Sequence, residues 1–215
     1  MALTLVIGNK NYSSWSLRAW LVLDHFGFTF HERLIVLDQP DTKARLLDES
    51  PAGRVPVLID GQLAVWESLS IIEYCAELKP EAGIWPRAAR ERAIARTLAS
   101  EMHAGFMGLR QACPMNLKAR RPFRPRGAAA EADVARFEAM VAERIAISGG
   151  PFLFGPWCAA DAMYAPVVTR LTSYGWPLAD TTRAYADAVE TEASFLRWKE
   201  AALRETWILP AEEVE

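Results

Sequence analysis

Apolar and polar positions alternate through the first part of the chain, and helical spacing takes over in the rest. "LTLVIGNK" sets Leu3, Leu5 and Ile7 on one face of an extended segment with Val6 opposite, which predicts a buried strand over residues 3–7. From Ser14 to Phe26 the apolar residues Leu17, Trp20, Leu21 and Phe26 recur at helical spacing, and Gly27 supplies a stop. A second strand is predicted over Thr29–Val36 and a short helix over Asp41–Leu47. In "RVPVLIDGQLAVWES" two apolar runs flank Asp60-Gly61, the signature of an antiparallel hairpin. "ESLSIIEYCAELKP" then predicts a helix with Leu69, Ile72, Cys75 and Ala76 on one side and Pro80 past its end. The order β-α-β followed by β-β-α makes a small sheet with helices on its faces.

From about Arg87 strand signals vanish. Helices are predicted over 87–112, 128–148 and 159–173, with two shorter ones after Thr181. "KPEAGIWPRAA" is rich in Pro and Gly and reads as a linker. The expected division is an α/β domain at 1–80, a linker at 81–88 and an all-helical domain at 89–215. The acidic tail after Pro210 is expected to fray.

Composition narrows the function classes. Half of the 215 residues are apolar (51%), enough for a substantial core, yet no run approaches a membrane span. No basic-apolar leader precedes the first strand, so a cytoplasmic location is expected. The net charge of -3 gives no electrostatic reason to expect nucleic acid. Cys75, Cys113 and Cys158 are too scattered for a disulfide framework, and His25, His31 and His103 lack metal-ligand spacing; no metal is expected.

Three stretches place backbone donors where a ligand could use them. Ser13 and Ser14 stand at the start of the first helix, where serine is a favoured cap and where backbone N–H groups lack partners. Val55-Pro56 opens the third strand; a cis bond there would turn the Val55 N–H and C=O outward, ready to pair with a peptide-like ligand. Glu67 and Ser68 begin the third helix. An acid and a hydroxyl beside free N–H groups suit an amino-acid head group, the carboxylate going to Ser68 and the helix end, the ammonium to Glu67. One small peptide fits all three.

With "SSWSLR", "GRVPVL" and "ESLSI" in this order ahead of an all-helical half, the chain resembles a cytosolic glutathione transferase of the serine type, with a thioredoxin-like N-terminal domain and an all-α C-terminal domain. The resemblance covers nearly the whole chain. It implies glutathione bound as a substrate, by its γ-glutamyl end at Glu67 and Ser68, by main-chain pairing at Val55 next to Pro56, and by its glycyl carboxylate at Arg54. The thiol would face the first helix, where a serine hydroxyl and the helix end stabilise the thiolate as donors. The zeta, tau and phi spacing of five residues to an arginine selects Ser13 ahead of Arg18; the delta and theta spacing of four selects Ser14. Ser13 is the preferred candidate, and Tyr12 is a third hydroxyl that fits the tyrosine-type classes poorly.

The chain also departs from its relatives' patterns. Trp15 stands where the zeta pattern has a cysteine, which speaks against maleylacetoacetate isomerisation, and no cysteine occupies the thiol-facing site. Cys158 and Asp161 keep only half of a capping box, so Asp161 reads as structural. For the electrophile pocket the expectation is Trp15 with Met102, His103, Phe106 and Arg110 on the fourth helix. "LKARRPFRPRG" carries five basic residues and reads as a solvated loop or an attractor of anions. The resemblance implies a homodimer that activates glutathione for conjugation to an electrophile, as in detoxification, or for isomerisation, with a small electrophile as partner and no nucleic acid or membrane. The alternative is a non-catalytic ligand-binding or scaffold protein of the same fold.

Overall fold

The computed structural model describes residues 3–215. Strand β1 (Leu3–Ile7) is central, parallel to β2 (Phe30–Leu34) on one side and antiparallel to β3 (Val57–Asp60) on the other. β4 (Leu63–Trp66) closes the hairpin with β3, giving the order β2-β1-β3-β4. Gly61, at φ 60°, supplies the left-handed residue of that turn. Leu5, Val6 and Ile7 are all fully buried because both faces of the sheet are covered. Val6 packs with Ile35, Val57 and Leu46 of helix α2 (Thr42–Glu49), whereas Leu5 and Ile7 face helices α1 (Ser14–His25) and α3 (Ser68–Leu78) in the main core. β2 is the exposed edge, with polar His31, Glu32 and Arg33 in its middle, and it is shorter than the alternation suggested.

The second half holds six helices: α4 (Ala89–Ala104), α5 (Met107–Ala112), α6 (Ala128–Ser148), α7 (Ala159–Ser173), α8 (Asp180–Thr191) and α9 (Ala193–Arg204). The single helix expected over 87–112 is two. The chain turns at Gly105 and Phe106, the latter at φ 59°. A Cβ at Gly105 would lie 2.8 Å from the Glu101 carbonyl oxygen, so this close turn needs glycine. Arg110 then reaches back to donate to the Gly105 and Met102 carbonyls that the break leaves free. No described helix is long and apolar enough to cross a membrane.

α7 is the helical core; every residue except Thr172 is buried. Its start is held by Asp161, whose Oδ2 accepts from the Cys158 N–H (3.0 Å) while Oδ1 accepts from the Leu153 N–H and the Tyr185 hydroxyl, each at 3.1 Å. The capping box therefore forms with Cys158 in the hydroxyl's usual place. Burial pushes the Asp161 carboxyl up to about 6 against the pull of these donors. Asp161→Ala should leave three buried donors unpaired and destabilise the fold by about 3 kcal/mol, which thermal unfolding would register as a fall of roughly 6–12 °C in Tm.

α9 ties the two halves together. The Trp198 ring lies 5.4 Å from Trp20 of α1 and its Nε1–H donates to the Lys10 carbonyl. Glu192 caps α9 through the Ser194 and Phe195 N–H groups and meets His25 at the end of α1 at 3.0 Å. Burial works to raise the Glu192 pKa, but the hydrogen bonds from His25, Ser194 and Phe195 overcome it and bring it down to about 2. A carboxylate depressed on folding contributes stability that is present above its unfolded value near 4.3 and is lost as pH falls toward 2. Glu192→Gln should thus cost about 1–2 kcal/mol at neutral pH, and urea titrations should find its deficit shrinking between about pH 4.5 and pH 2.

The C-terminal tail does not fray as expected. Leu209 is buried, Glu213 accepts from Tyr12 Oη (2.6 Å) and Asn116 Nδ2 (2.9 Å) and faces Arg121 at 3.5 Å, and Arg126 donates to the Glu215 carbonyl at 2.7 Å. Lys118 donates to the Glu205 carbonyl. The basic loop expected to be solvated therefore holds the tail, through the Arg121–Glu213 ion pair and hydrogen bonds from Lys118 and Arg126 to main-chain carbonyls.

Candidate active site

The loop between β1 and α1 carries interlocked hydroxyls. Ser13 is the N-cap of α1: its Oγ accepts from the Ser16 N–H (3.3 Å) and donates to Ser16 Oγ (2.8 Å), which in turn accepts from the Gly8 N–H (3.1 Å). The Ser13 hydroxyl is thus engaged within the helix start. Ser14 differs. Its Oγ accepts from Arg170 Nη2 of α7 at 3.2 Å, and among the described residues it makes no other hydrogen bond, so its own hydrogen is free to donate. Tyr12 spends its hydroxyl on Glu213.

Behind these serines lies a group of arginines, two of which sequence reasoning left without a role in the site. Arg18 of α1 is fully buried, and among the described residues Nε, Nη1 and Nη2 all lack acceptors. Its guanidinium sits 4.4 Å from the centre of the Trp15 ring, and that of Arg110 lies 4.9 Å from the same ring. Burial and then the Arg110 and Arg170 charges pull Arg18 well below the usual arginine range, and the same causes bring Arg170, from burial first and Arg110 second, to about 10. Arg170 has no sequence signal, because α7 is helical and apolar around it and only the packing of α7 on α1 brings it to Ser14.

The second element is the turn into β3. Val55-Pro56 is cis. Arg54, Val55 and Pro56 line a cavity of about 210 Å³ together with Trp15, Trp66 and Glu67. Glu67 stands before α3 at φ 67° without capping the helix by its side chain, and Ser68 is fully buried with an Oγ that has no partner. A buried hydroxyl without an acceptor or donor beside a free helix start is the kind of group a ligand satisfies. A larger cavity of about 450 Å³ opens past Arg54, Val55 and Trp15, which line both, and reaches Ser13, Ser14, Arg110 and Arg170. Of the residues expected from the sequence, Arg54, Val55, Pro56 and Glu67 line the first cavity and Ser13, Ser14 and Arg110 the second, with Trp15, Arg54 and Val55 shared between them; Ser68 lines neither.

The fourth helix contributes less than its spacing suggested. Met102 is fully buried and Phe106 packs edge-on against Tyr164 at 5.8 Å; both are core residues, because the break at Gly105 turns that face inward. Met107, half-exposed after the break, lines the larger cavity instead. His103 lies on the neighbouring groove with α3, edge-on to Trp15 at 5.2 Å and 3.4 Å from Glu67. Burial and then the Arg18 charge lower its pKa against the opposing pull of Glu67.

A thioredoxin-like sheet with a cis-proline turn, an acid-serine helix start and an appended helical half defines the glutathione transferase fold. Residues 12–78 match the family model described as glutathione S-transferase, N-terminal domain. A glutathione transferase homologue from Burkholderia BGR1, solved with bound glutathione, superposes with a TM-score of 0.76 over 95% of this chain and 100% of its own, at 24% identity. A probable maleylacetoacetate isomerase of Caenorhabditis elegans is 32% identical over 101 residues, 46% of each chain. A dichloromethane dehalogenase of Methylorubrum extorquens is 47% identical over 45 residues, 20% of this chain and 16% of its own. The matched stretches thus span less than half the length of these curated relatives.

Proposed function

We propose that the protein is a glutathione transferase: it binds glutathione, ionises its thiol and directs the thiolate at an electrophilic carbon. In this reading Glu67 pairs the γ-glutamyl ammonium. The Ser68 hydroxyl and the first N–H groups of α3 take the adjoining carboxylate, Val55 pairs the cysteinyl main chain beside cis-Pro56, and Arg54 meets the glycyl carboxylate. Residues 1–80 supply the peptide site and 89–215 the wall of the electrophile pocket. The observation that carries the reading is that Glu67, Val55 and Arg54 line one cavity and Ser14, with no acceptor for its own hydrogen among the described residues, lines a second that shares Trp15, Arg54 and Val55 with it; the unpartnered Ser68 hydroxyl stands next to Glu67.

Ser14 rather than Ser13 is read as the thiolate's donor. Donation by Arg170 into Ser14 Oγ makes the Ser14 O–H a stronger donor, and the unneutralised Arg18 adds positive potential behind it. The thiol's proton leaves to solvent, the sulfur attacks carbon, and the leaving group departs with the bonding electrons; in an isomerisation the same addition precedes loss of the thiolate. Cytoplasmic homodimers acting in detoxification accompany this reading through family resemblance alone. The test is isothermal calorimetry with glutathione beside turnover of a panel of electrophiles. Binding with turnover of at least one electrophile supports an enzyme; binding with flat rates throughout would favour a scaffold.

A further inference from the structure

Arg110 and Arg170 line the larger cavity, with the fully buried Arg18 close behind them, and glutathione does not account for the three. Its two carboxylates have their partners elsewhere, at the start of α3 and at Arg54. Arg18, Arg110 and Arg170 form no ion pair among the described residues. Arg110 spends Nε and Nη2 on main-chain carbonyls and leaves Nη1 uncommitted; Arg170 spends Nη1 on the Pro166 carbonyl and Nη2 on Ser14, and its Nε has no acceptor. Like charges gathered out of water are held apart only at a cost, and a bound anion would relieve it. The cavity lining has one carboxylate, Glu212, delivered by the clamped tail. It makes neither a hydrogen bond nor an ion pair with either arginine, though its charge opposes the burial of Arg170.

We infer that the electrophilic substrate is an anion, its carboxylate held by Arg110 and Arg170 beside Ser14, and that Glu212 is a tethered carboxylate competing for the same arginines. The inference rests on the glutathione reading and deepens it. Guanidinium groups suit this task because their planar forks match a carboxylate's two oxygens. An anion seated there would leave its reactive carbon on the Ser14 side of the cavity, toward the thiolate. The tail carboxylate would weaken binding of that anion without blocking neutral ligands.

Glutathione conjugates test this without knowledge of the natural electrophile. S-(carboxymethyl)-, S-(2-carboxyethyl)- and S-(3-carboxypropyl)glutathione are each compared by calorimetry with the matching carboxamide, which has the same shape and no charge. At one chain length or more the carboxylate should bind about tenfold more tightly than its amide. Arg110→Gln should bring that ratio to within about threefold, and Glu212→Gln should widen it severalfold. The amide measured on each variant reports whether the site has stayed folded. Equal affinities at every length, in a protein that binds S-methylglutathione, would overturn the inference and leave the glutathione reading standing. A preference unchanged in Arg110→Gln would remove the arginine assignment, and one unchanged in Glu212→Gln would remove the competition by the tail. Failure of S-methylglutathione itself to bind would bring down the glutathione reading, and this inference with it.

Discussion

Ser14→Ala should lower turnover at neutral pH by about one to three orders of magnitude while glutathione affinity changes little. Ser13 donates to Ser16 and accepts from the helix, whereas Ser14 accepts from Arg170 and has a hydrogen to give. A thiol brought from about 8.5 to about 6.5 represents roughly 2.7 kcal/mol of preferential thiolate stabilisation, within reach of one strong donor, a helix end and a nearby positive charge. Removing the donor should therefore shift the pH–rate profile to the alkaline side, and the ultraviolet absorbance of bound thiolate should follow it. Ser13→Ala should behave as loss of a cap: about 1 kcal/mol of stability lost and the profile left in place. If the profile moves for Ser13→Ala and stays for Ser14→Ala, the roles assigned to the two hydroxyls are reversed.

Glu67→Ala should weaken glutathione binding by about 2 kcal/mol, or roughly thirtyfold. The lower end of the range for a charged pair is expected, because the Glu67 side chain is 44% exposed before ligand covers it. Loss of the carboxylate also removes the partner of His103, so the variant needs a control that isolates the ammonium. A glutathione analogue without its amino group supplies one: wild type and variant should bind it alike, and the coupling should appear only with the amine present. Equal calorimetric affinities of the two proteins for glutathione itself would remove the head-group assignment.

Much of the fold was legible in the chain because it rests on local rules. The alternation of β1, the helical spacing of α1 and α3 and the hairpin at Gly61 each need only neighbours in sequence, and α6 and α7 fall on their expected residues. The cis bond at Val55-Pro56 and the start of α3 at Ser68 were legible for the same reason, since each follows from a short local motif. Boundaries were less so. The break between α4 and α5 is set by one glycine and by an arginine reaching back to free carbonyls, and the helical pattern runs across it undisturbed.

What only the tertiary structure decided depends on contacts across long separations. No spacing rule joins Arg170 to Ser14, which lie 156 positions apart, or Glu213 to Tyr12, 201 apart. Ser13 is tied to Ser16 at the start of its own helix while Ser14 meets Arg170 on a helix from the other half of the chain, a difference between adjacent serines that no local motif encodes. Met102 and Phe106 keep a pocket-like periodicity yet lie in the core, because periodicity specifies a face and packing specifies what the face meets. The basic loop and the acidic tail each look solvated in isolation, and only the fold brings them together, through one ion pair and hydrogen bonds to main-chain carbonyls. The sequence by itself determined the elements and their ends, which rest on neighbours in the chain; the packing of α7 and the tail against α1 decided which side chains line the larger cavity, since charge and hydrogen-bond partnership are properties of neighbours in space.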